Sequence, residues 1–323
     1  MIEFIFLFLV NLFIFLFFKP IVSILNCYDY PNNLRKIHKK RIAKVGGFLI
    51  IFNIIIFYVI SFNSALILKK EIFFILGSIL FFLLGYFDDK FDINAYLKFF
   101  FQIIFILLLV IFKNDMLINN IYISFLNKKI LLGKFSFFFT IFCYLLFINA
   151  FNMLDGINIS AGVYALSLLV FLYIHNNNII FFVLIISLLF FLVKNYQNKL
   201  FLGNNGSYLL GFILSYFFVD LNRTKVISGE EIFLAMIIPG LDMLRLYVQR
   251  IYNKKNPFKA DLNHLHHILL KKFLYDKAIV CLLLILCIPI FLNFFLVDSK
   301  KIYVIIIIII SYISLIIYSL KKQ

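Results

Sequence analysis

Long apolar segments dominate this chain of 323 residues and restrict the folds open to it. Apolar residues make up 64% of the sequence, well above their usual share in soluble domains. A membrane-spanning helix needs roughly 20 apolar residues, and about eleven such segments occur along the chain. They lie near residues 3–25, 47–68, 71–87, 95–112, 135–151, 157–174, 178–194, 207–220, 231–247, 277–297 and 301–320. The sequence therefore predicts an all-α polytopic membrane protein with about 10–11 transmembrane helices, formed by a single integral-membrane domain over residues 1–323.

Lysine and arginine are divided unevenly between the loops that would alternate across the membrane. Of the 31 basic residues, the set that includes Lys44, Lys98 and the segment 245–277 holds about twice as many as the other. Because basic loops stay on the cytoplasmic side, we expect the N-terminus outside and the C-terminus inside. A basic cytoplasmic face would also attract anionic headgroups and anionic soluble substrates.

Polar clusters gather on this predicted cytoplasmic side. They are His38–Gly47, Asp88–Lys98, Asn149–Asn158, Gly203–Ser207 and Asp242–His267. A channel or transporter more often places its polar residues near the bilayer midplane. The one-sided distribution therefore favours an active site at the membrane surface, open to the cytoplasm.

Three loops are longer than the rest, 26–46, 113–134 and 250–276, and the last two differ in their predicted structure. In the outer loop 113–134, the strand-like run Ile121–Phe125 is followed by a second apolar piece, which predicts a small extracytoplasmic β-hairpin. The inner segment 250–276 is predicted to be a basic loop. The four cysteines lie in or beside apolar segments without ligand spacing, so we expect them to be small core residues.

Three carboxylates follow directly on the apolar segment near 71–87: Asp88, Asp89 and Asp92. If the helix continues, Asp88 and Asp92 share a face, while Asp89 points about 100° away. Neighbouring carboxylates raise each other's pKa unless a cation lies between them. Oxygen donors beside a phosphorylated substrate favour Mg²⁺ as that cation. The alternative is a solvated helix end with Lys90 as the local partner.

Two further features indicate phosphate contact. The loop Gly203–Ser207 opens an apolar segment, and backbone N–H groups at a helix N-terminus favour phosphate. The loop could equally be an ordinary turn, with Asn204 as a cap of the helix. Lys98 either extends to the membrane interface or holds a phosphate.

Three histidines, His264, His266 and His267, lie within four residues in the basic segment 250–276. They could bind zinc, transfer protons or contact a phosphate or sugar. Zinc fits least, because no Cys lies nearby and no HExxH motif is present. Contact with phosphate or sugar fits best, and solvated loop histidines are the alternative.

Taken in order, these clusters resemble the polyprenyl-phosphate N-acetylhexosamine-1-phosphate transferases, or glycosyltransferase family 4. The motifs that carry the resemblance are His38 with Lys44–Gly47, Asp88-Asp89 with Asp92 and Lys98, Asn149–Gly156, Phe201–Ser207, and Pro239 and Asp242 with His264–His267. Together they cover nearly the whole chain, and five motifs in order are specific where one would not be. The form of the last motif resembles the branch that transfers GlcNAc-1-phosphate.

The resemblance implies an enzyme of the bacterial inner membrane with its active site facing the cytoplasm. Undecaprenyl phosphate would attack the β-phosphorus of a UDP-N-acetylhexosamine, release UMP and begin a lipid-linked envelope glycan such as lipopolysaccharide. Mg²⁺ is the implied cofactor, with Mn²⁺ as the alternative. The lipid carrier and the bilayer are the implied partners, nucleic acid is not expected, and a homodimer is left open.

The resemblance also implies a role for each matching residue. These roles are catalysis for Asp88, Asp89, Asp92 and Asp155, substrate binding for Lys44, Lys98, Asn152, Asn158, His264, His266 and His267, and metal binding for Asn152 and Asn204.

Asn204 departs from the family pattern, in which an Asp that binds Mg²⁺ occupies this position. An amide oxygen can coordinate without charge, so weaker metal binding is expected. The first motif also lacks its usual prolines, with Arg41 and Ala43 in their places. Two alternative functions stay open: a catalytically weakened homologue, which Asn204 supports, and a transporter or channel, which only the hydropathy supports.

Overall fold

The computed structural model describes residues 2–25, 27–31, 41–60, 65–124, 126–257 and 261–320. Its helices are α1 Ile2–Leu16, α2 Phe18–Leu25, α3 Gly46–Ile60, α4 Ala65–Phe91, α5 Ala95–Phe112, α6 Ser136–Leu154, α7 Ser160–His175, α8 Ile179–Tyr196, α9 Gly203–Arg223, α10 Gly229–Tyr252, α11 Leu265–Lys272, α12 Tyr275–Phe295 and α13 Asp298–Leu320. Its strands are β1 Tyr28–Asp29, β2 Ile42–Lys44, β3 Asn120–Ile123, β4 Lys128–Leu131 and β5 Leu200–Phe201. Helix makes up 78% of the described part of the chain, which confirms the all-α class.

Within the described residues, six helices are long and apolar enough to cross a membrane: α4, α5, α6, α8, α12 and α13. The apolar helices α3 and α7 are shorter, with 15 and 16 residues. Helices α9 and α10 contain 21 and 24 residues but are not among the six, since both carry polar side chains of the site described below. Each predicted apolar segment overlaps a helix, and the first is divided into α1 and α2 at Phe17.

Helix α9 lies at the centre of the bundle, packed against α3, α4 and α6. Its side chains from Asn205 to Phe218 are buried. A Cβ atom on Gly85 of α4 would lie 2.2 Å from the Asn204 carbonyl oxygen, and one on Gly47 of α3 would lie 2.4 Å from Asn205 Oδ1. These glycines therefore allow the ends of α3 and α4 to approach the first turn of α9.

Proline inside α10 is accommodated by a neighbouring helix. Pro239 has no backbone N–H, so it cannot pair with the carbonyl four residues earlier, that of Ala235. The hydroxyl of Tyr164 on α7 donates to that carbonyl at 2.6 Å. The buried carbonyl is thereby satisfied, and the two helices are joined.

Two small sheets lie at opposite ends of the bundle. In the first, β2 pairs antiparallel with β1 and parallel with β5, where Ala43 is opposite Leu200. Because β2 leads into α3 and β5 leads into α9, this sheet lies where both helices begin. Its strands of two or three residues are too short to show an alternating pattern in the sequence, so they were not predicted.

The second sheet is the predicted hairpin, with β3 and β4 antiparallel. It lies against the N-terminal end of α10, where a Cβ atom on Gly229 would be 3.1 Å from Ile121 Cγ2.

The prediction of a loop over residues 250–276 was wrong in part, because the segment contains the short helix α11. Leu265, Ile268 and Leu269 repeat with helical spacing and are buried. They pack toward α12. The basic and polar residues around them obscured this short apolar repeat.

Candidate active site

The polar residues singled out in the sequence meet at one end of the bundle. The C-terminal ends of α4 and α6 lie there beside the N-terminal ends of α5 and α9, and β2 and α11 complete the surroundings. Contacts between side chains from these elements define the site.

Asp89, near the C-terminal end of α4, lies against the first turn of α9. Its Oδ2 accepts hydrogen bonds from the Asn205 backbone N–H at 3.0 Å and from Asn205 Nδ2 at 2.7 Å. The free N–H groups of a helix N-terminus attract a negative group. The helix end that was predicted to favour phosphate thus already holds a carboxylate.

Gly203 is required for this contact. Its φ of +72° is a conformation that favours glycine, and a Cβ atom would lie 2.8 Å from Asp89 Oδ2. The helix begins at Gly203, so Asn204 lies within its first turn. The alternative in which Asn204 caps the helix is therefore wrong.

Asn205 was not predicted as a site residue. It is fully buried, and besides Asp89 its Nδ2 donates to the Lys44 carbonyl at 2.8 Å. Its Oδ1 accepts from the Gly47 N–H at 2.8 Å. Asn205 therefore joins β2, α3, α4 and α9; its place between two glycines at the start of an apolar segment was the available signal.

Asp88 has a different partner from Asp89. Its side chain is buried, and its Oδ2 lies 3.2 Å from Lys98 Nζ on α5. Its Oδ1 accepts from the Ile93 N–H at 3.0 Å. Lys90 instead lies over the rings of Tyr86 and Phe91, so the alternative of a solvated helix end paired with Lys90 is wrong.

Asp92 does not share a helix face with Asp88, because α4 ends at Phe91. Asp92 has a φ of +50° and its side chain is exposed. The left-handed conformation turns the chain from α4 toward α5, which begins at Ala95. The structure therefore separates Asp92 from the buried pair.

Lys44 lies between two carboxylates. Its Nζ is 3.1 Å from Asp29 Oδ1 and 3.8 Å from Asp89 Oδ1. Burial alone would lower the pKa of Lys44, but Asp89 and Asp29 outweigh it and hold the pKa above its ordinary value. Asp29 is buried and was not predicted as a site residue. The available signal was that it is an acidic residue in a segment otherwise rich in Lys and Arg.

Asn152 and Asn204 are in direct contact. Asn152 Nδ2 donates to Asn204 Oδ1 at 3.0 Å and to Ser207 Oγ at 2.6 Å. The two residues assigned to metal binding are thus brought together from α6 and α9, 52 positions apart in the chain.

Asp155 and Asn158 follow the C-terminal end of α6. Burial and, secondarily, repulsion by Asp89 raise the pKa of Asp155 to about 7, against the opposing attraction of Lys44. The Asn158 side chain donates to Asn198 Oδ1 beyond α8. Asp155 therefore belongs to the same electrostatic site as Asp89 and Lys44.

Oxygen donors at the site suit a hard cation. Among the described residues, Asp89 Oδ1 is buried without a hydrogen-bond partner, and no hydrogen bond reaches Asn152 Oδ1. These two atoms and Asn204 Oδ1 are of the type that Mg²⁺ prefers. No group of three or more His, Cys, Asp or Glu side chains in the described part of the chain could hold a metal, so amide oxygens would have to contribute.

Asp242 anchors the histidine motif. Its Oδ1 accepts from Tyr312 on α13 and from Arg245, each at 2.7 Å, and its Oδ2 accepts from the Leu265 N–H at 3.1 Å. His264 Nδ1 lies 3.6 Å from the same Oδ2. The Asp242 carboxylate thus holds the start of α11 in place.

The three histidine rings form a cluster. The rings of His264 and His266 are stacked at 5.4 Å between centroids, and those of His266 and His267 lie 4.2 Å apart. A Cβ atom on Gly156 would lie 2.2 Å from His266 Nε2, so this glycine admits the ring beside Asp155. Burial, followed by the charges of His267 and His264, lowers the pKa of His266 to about 3.

A small pocket separates this histidine cluster from α6. Its lining includes Met153, Pro239, Asp242 and His266. His38, from the first motif, lies outside the described residues. The remaining predicted site residues fall around the same end of the bundle, except that Asp92 is turned outward.

Comparison with known proteins places these motifs in a family. Residues 72–222 match the family model described as glycosyl transferase family 4. That range contains Asp88, Asp89, Asn152, Asp155 and Asn204.

Relatives of this chain carry the name undecaprenyl-phosphate alpha-N-acetylglucosaminyl 1-phosphate transferase. The protein from Thermotoga maritima is 30% identical over 261 residues, which cover 79% of this chain and 76% of that protein. The protein from Salmonella typhi is 29% identical over 276 residues, covering 81% and 73%. The protein from Escherichia coli O157:H7 is 26% identical over 279 residues, covering 80% and 73%.

Proposed function

The chain belongs to glycosyl transferase family 4, and we propose that it transfers N-acetylglucosamine 1-phosphate from UDP-N-acetylglucosamine to undecaprenyl phosphate. In this reaction a phosphate oxygen of the lipid forms a bond to the β-phosphorus of the donor. The bond between the β-phosphorus and the oxygen that bridges it to the α-phosphorus breaks, and UMP leaves with that oxygen. The names of the relatives support phosphosugar transfer to the polyprenyl carrier.

The observation that carries the proposal is the pair of neighbouring carboxylates with separate cationic partners. Asp88 lies beside Lys98, and Asp89 lies beside Lys44 at the start of α9. Both substrates are polyanions, and phosphoryl transfer depends mainly on positioning and on neutralising the phosphoryl oxygens. Fixed lysines and carboxylates at one end of a membrane bundle meet both needs.

Asp88 is proposed as the group that orients, and can accept the proton of, the attacking lipid phosphate. Lys98 is then free to move its ammonium from Asp88 to an arriving phosphate oxygen. Lys44, whose charge is secured by Asp29 and Asp89, would face the donor diphosphate. His264, His266 and His267 border the other side and would contact the sugar or its phosphate.

Asp89, Asn152 and Asn204 would hold a divalent cation, Mg²⁺ or Mn²⁺. When bound, such an ion would neutralise charge on the donor diphosphate. Asp89 Oδ1, which is buried and accepts no hydrogen bond among the described residues, supports this assignment. Asn158 would contact the nucleotide.

The site would face the cytoplasm of the bacterial inner membrane, where UDP-sugars are available. The excess of Lys and Arg on the same side supports that orientation. The product would begin a lipid-linked glycan of the cell envelope.

A direct assay tests the proposal. Purified protein is incubated with undecaprenyl phosphate, Mg²⁺ and single UDP-sugars, and both UMP and the lipid product are measured. UMP release that requires the lipid, and is highest with UDP-N-acetylglucosamine, is the expected result. Release with another UDP-sugar alone would redirect the donor assignment, and none with any UDP-sugar would contradict the proposal.

Asn204 favours one rival, a catalytically weakened homologue. The same assay over a range of Mg²⁺ concentrations separates the two. Lipid-dependent turnover that saturates with Mg²⁺ supports an active transferase, and turnover that stays at background at every Mg²⁺ concentration supports the rival.

A further inference from the structure

Ile159 has an unusual backbone conformation beside the site. Its φ is +75° and its ψ is −34°. Among the described non-glycine residues with positive φ, Ile159 is the β-branched one. A branched side chain is strongly disfavoured there, and such a conformation persists only where surrounding contacts impose it.

Asn195, in the last turn of α8, supplies those contacts. Its Oδ1 accepts a hydrogen bond from the Ile159 N–H at 2.6 Å, and its Nδ2 donates to the Leu200 carbonyl at 2.6 Å. The side chain is buried, with 3% of its surface exposed. Both ends of one carboxamide are therefore used to bridge two separate stretches of backbone.

These two stretches carry different parts of the site. Ile159 directly follows Asn158 and lies four residues after Asp155. Leu200 begins β5, which pairs with β2 beside Lys44 and leads into Gly203 at the start of α9. A second contact joins the same stretches, because the Asn158 side chain donates to Asn198.

We propose that Asn195 is a positioning residue for the sugar-nucleotide donor, acting by holding Ile159 in its strained turn. The bridge sets the distance between the segment of Asp155 and Asn158 and the segment that leads into Asn204. This inference rests on the proposed function, since the donor whose binding it improves is the one proposed above. Asn195 itself touches backbone and is assigned no contact with the donor.

A purely structural reading would make Asn195 a cap for the C-terminal end of α8. Asn178 offers a matched control, because it caps the other end of the same helix by accepting from the Ile180 N–H at 3.1 Å. Asn178→Ala should lower stability and leave donor affinity unchanged.

Steady-state kinetics distinguish a positioning role of Asn195 from a role as a helix cap alone. In Asn195→Ala we expect KM for the UDP-sugar to rise about tenfold, equivalent to about 1.4 kcal/mol, with a smaller change in kcat. Glycine adopts a φ of +75° without strain, so adding Ile159→Gly to Asn195→Ala should recover most of the lost affinity. A KM that stays at the wild-type value in Asn195→Ala, or a rise that Ile159→Gly does not reduce, would overturn the proposal.

Hydrogen exchange gives a readout that does not depend on activity. The peptide containing residues 155–160 should exchange its amide hydrogens faster in Asn195→Ala than in wild type and be unaffected by Asn178→Ala. Unchanged exchange in Asn195→Ala would also contradict the bridge. Absence of UMP release by the wild-type protein, in contrast, would count against the proposed function alone.

If Asn195→Ala cannot be purified in folded form, Asn195→Ser takes its place in both measurements. Serine is too short to bridge Ile159 and Leu200, so the same rise in KM and faster exchange are expected.

Discussion

Asp88 and Asp89 are adjacent in the chain but face different surroundings, and that separation gives each a role of its own. Asp88 lies against Lys98 from the next helix, while Asp89 lies against the start of α9. A cluster that contains two carboxylates can therefore serve both substrates without placing both charges at one point. The two residues should not substitute for each other.

We predict that Asp88→Asn and Asp89→Asn each reduce turnover by orders of magnitude, because each removes charge beside the transferring phosphoryl group. Each variant keeps the shape of the side chain, so the folded protein should be retained. UMP release and thermal unfolding of the purified variants measure the two effects. Asp220→Asn, on the opposite end of α9, is the control, and near-wild-type turnover in both site variants would refute the assignment.

Asn204→Asp should lower the Mg²⁺ concentration for half-maximal activity. The change restores a negative charge to a position in contact with Asn152, and Mg²⁺ prefers charged oxygen donors. A tenfold shift would correspond to about 1.4 kcal/mol. An unmoved Mg²⁺ titration in an active variant would remove Asn204 from the metal site.

His266 should make the folded state sensitive to acid. Its pKa is about 3 in the folded protein against an ordinary value of 6.5, so between these values the unfolded state binds a proton that the folded state does not. The contribution of neutral His266 to stability is then complete above pH 6.5 and is lost progressively as the pH falls toward 3. The midpoint temperature of thermal unfolding, measured from pH 7.5 to 5, should therefore fall less steeply with pH in His266→Gln than in wild type. Equal slopes in the two proteins would argue against a buried neutral imidazole.

At the scale of elements, the approach of α4 to α9 forms the site, and glycine permits it. Gly85→Ala should reduce activity strongly, because the new Cβ atom would lie 2.2 Å from the Asn204 carbonyl oxygen and the backbone there cannot rotate aside. Gly240→Ala in α10 is the matched control, since its Cβ atom would have its nearest neighbour at 4.0 Å. Turnover and thermal stability of the two variants are compared. Equal behaviour would mean that close contact of α4 with α9 is dispensable.

At the scale of the whole molecule, the hairpin and the histidine motif lie toward opposite ends of α10. Gly229 at its start contacts the hairpin, and Arg245 near its end donates to the Asn263 carbonyl at 2.6 Å. A helix of 24 residues spans about 36 Å, which is enough to cross a bilayer. The two surfaces should therefore lie on opposite sides of the membrane.

Cysteine labelling tests this arrangement. Single cysteines at Asn127 in the hairpin and at Asn263 before α11, in a background without the native cysteines, should react with a membrane-impermeant maleimide from opposite sides. Asn263 should become reactive only when the cytoplasmic face is opened. Labelling of both positions in intact cells would overturn the proposed orientation of the site.

Much of the fold and part of the site could be predicted from local properties of the chain. Hydropathy depends on neighbouring residues alone, so it located the helices and the ends where charged residues such as Asp88 and Asp89 accumulate. The order of the polar motifs indicated the family. The strands β1, β2 and β5 and the helix α11 were not predicted, because segments of two to eight residues carry too weak a periodic pattern.

Only the tertiary structure decided which groups meet. The contact of Asp89 with Asn205 joins residues 116 positions apart, and no local pattern couples them. Whether Asp88 faces Lys98 or Lys90, and whether Asn195 reaches Ile159, depends on how closely helices pack and where each one ends. Those distances follow from the fit of many side chains at once, glycines such as Gly85 included. Hydropathy and spacing therefore determined the membrane fold and its polar end, and packing determined the chemistry of the site.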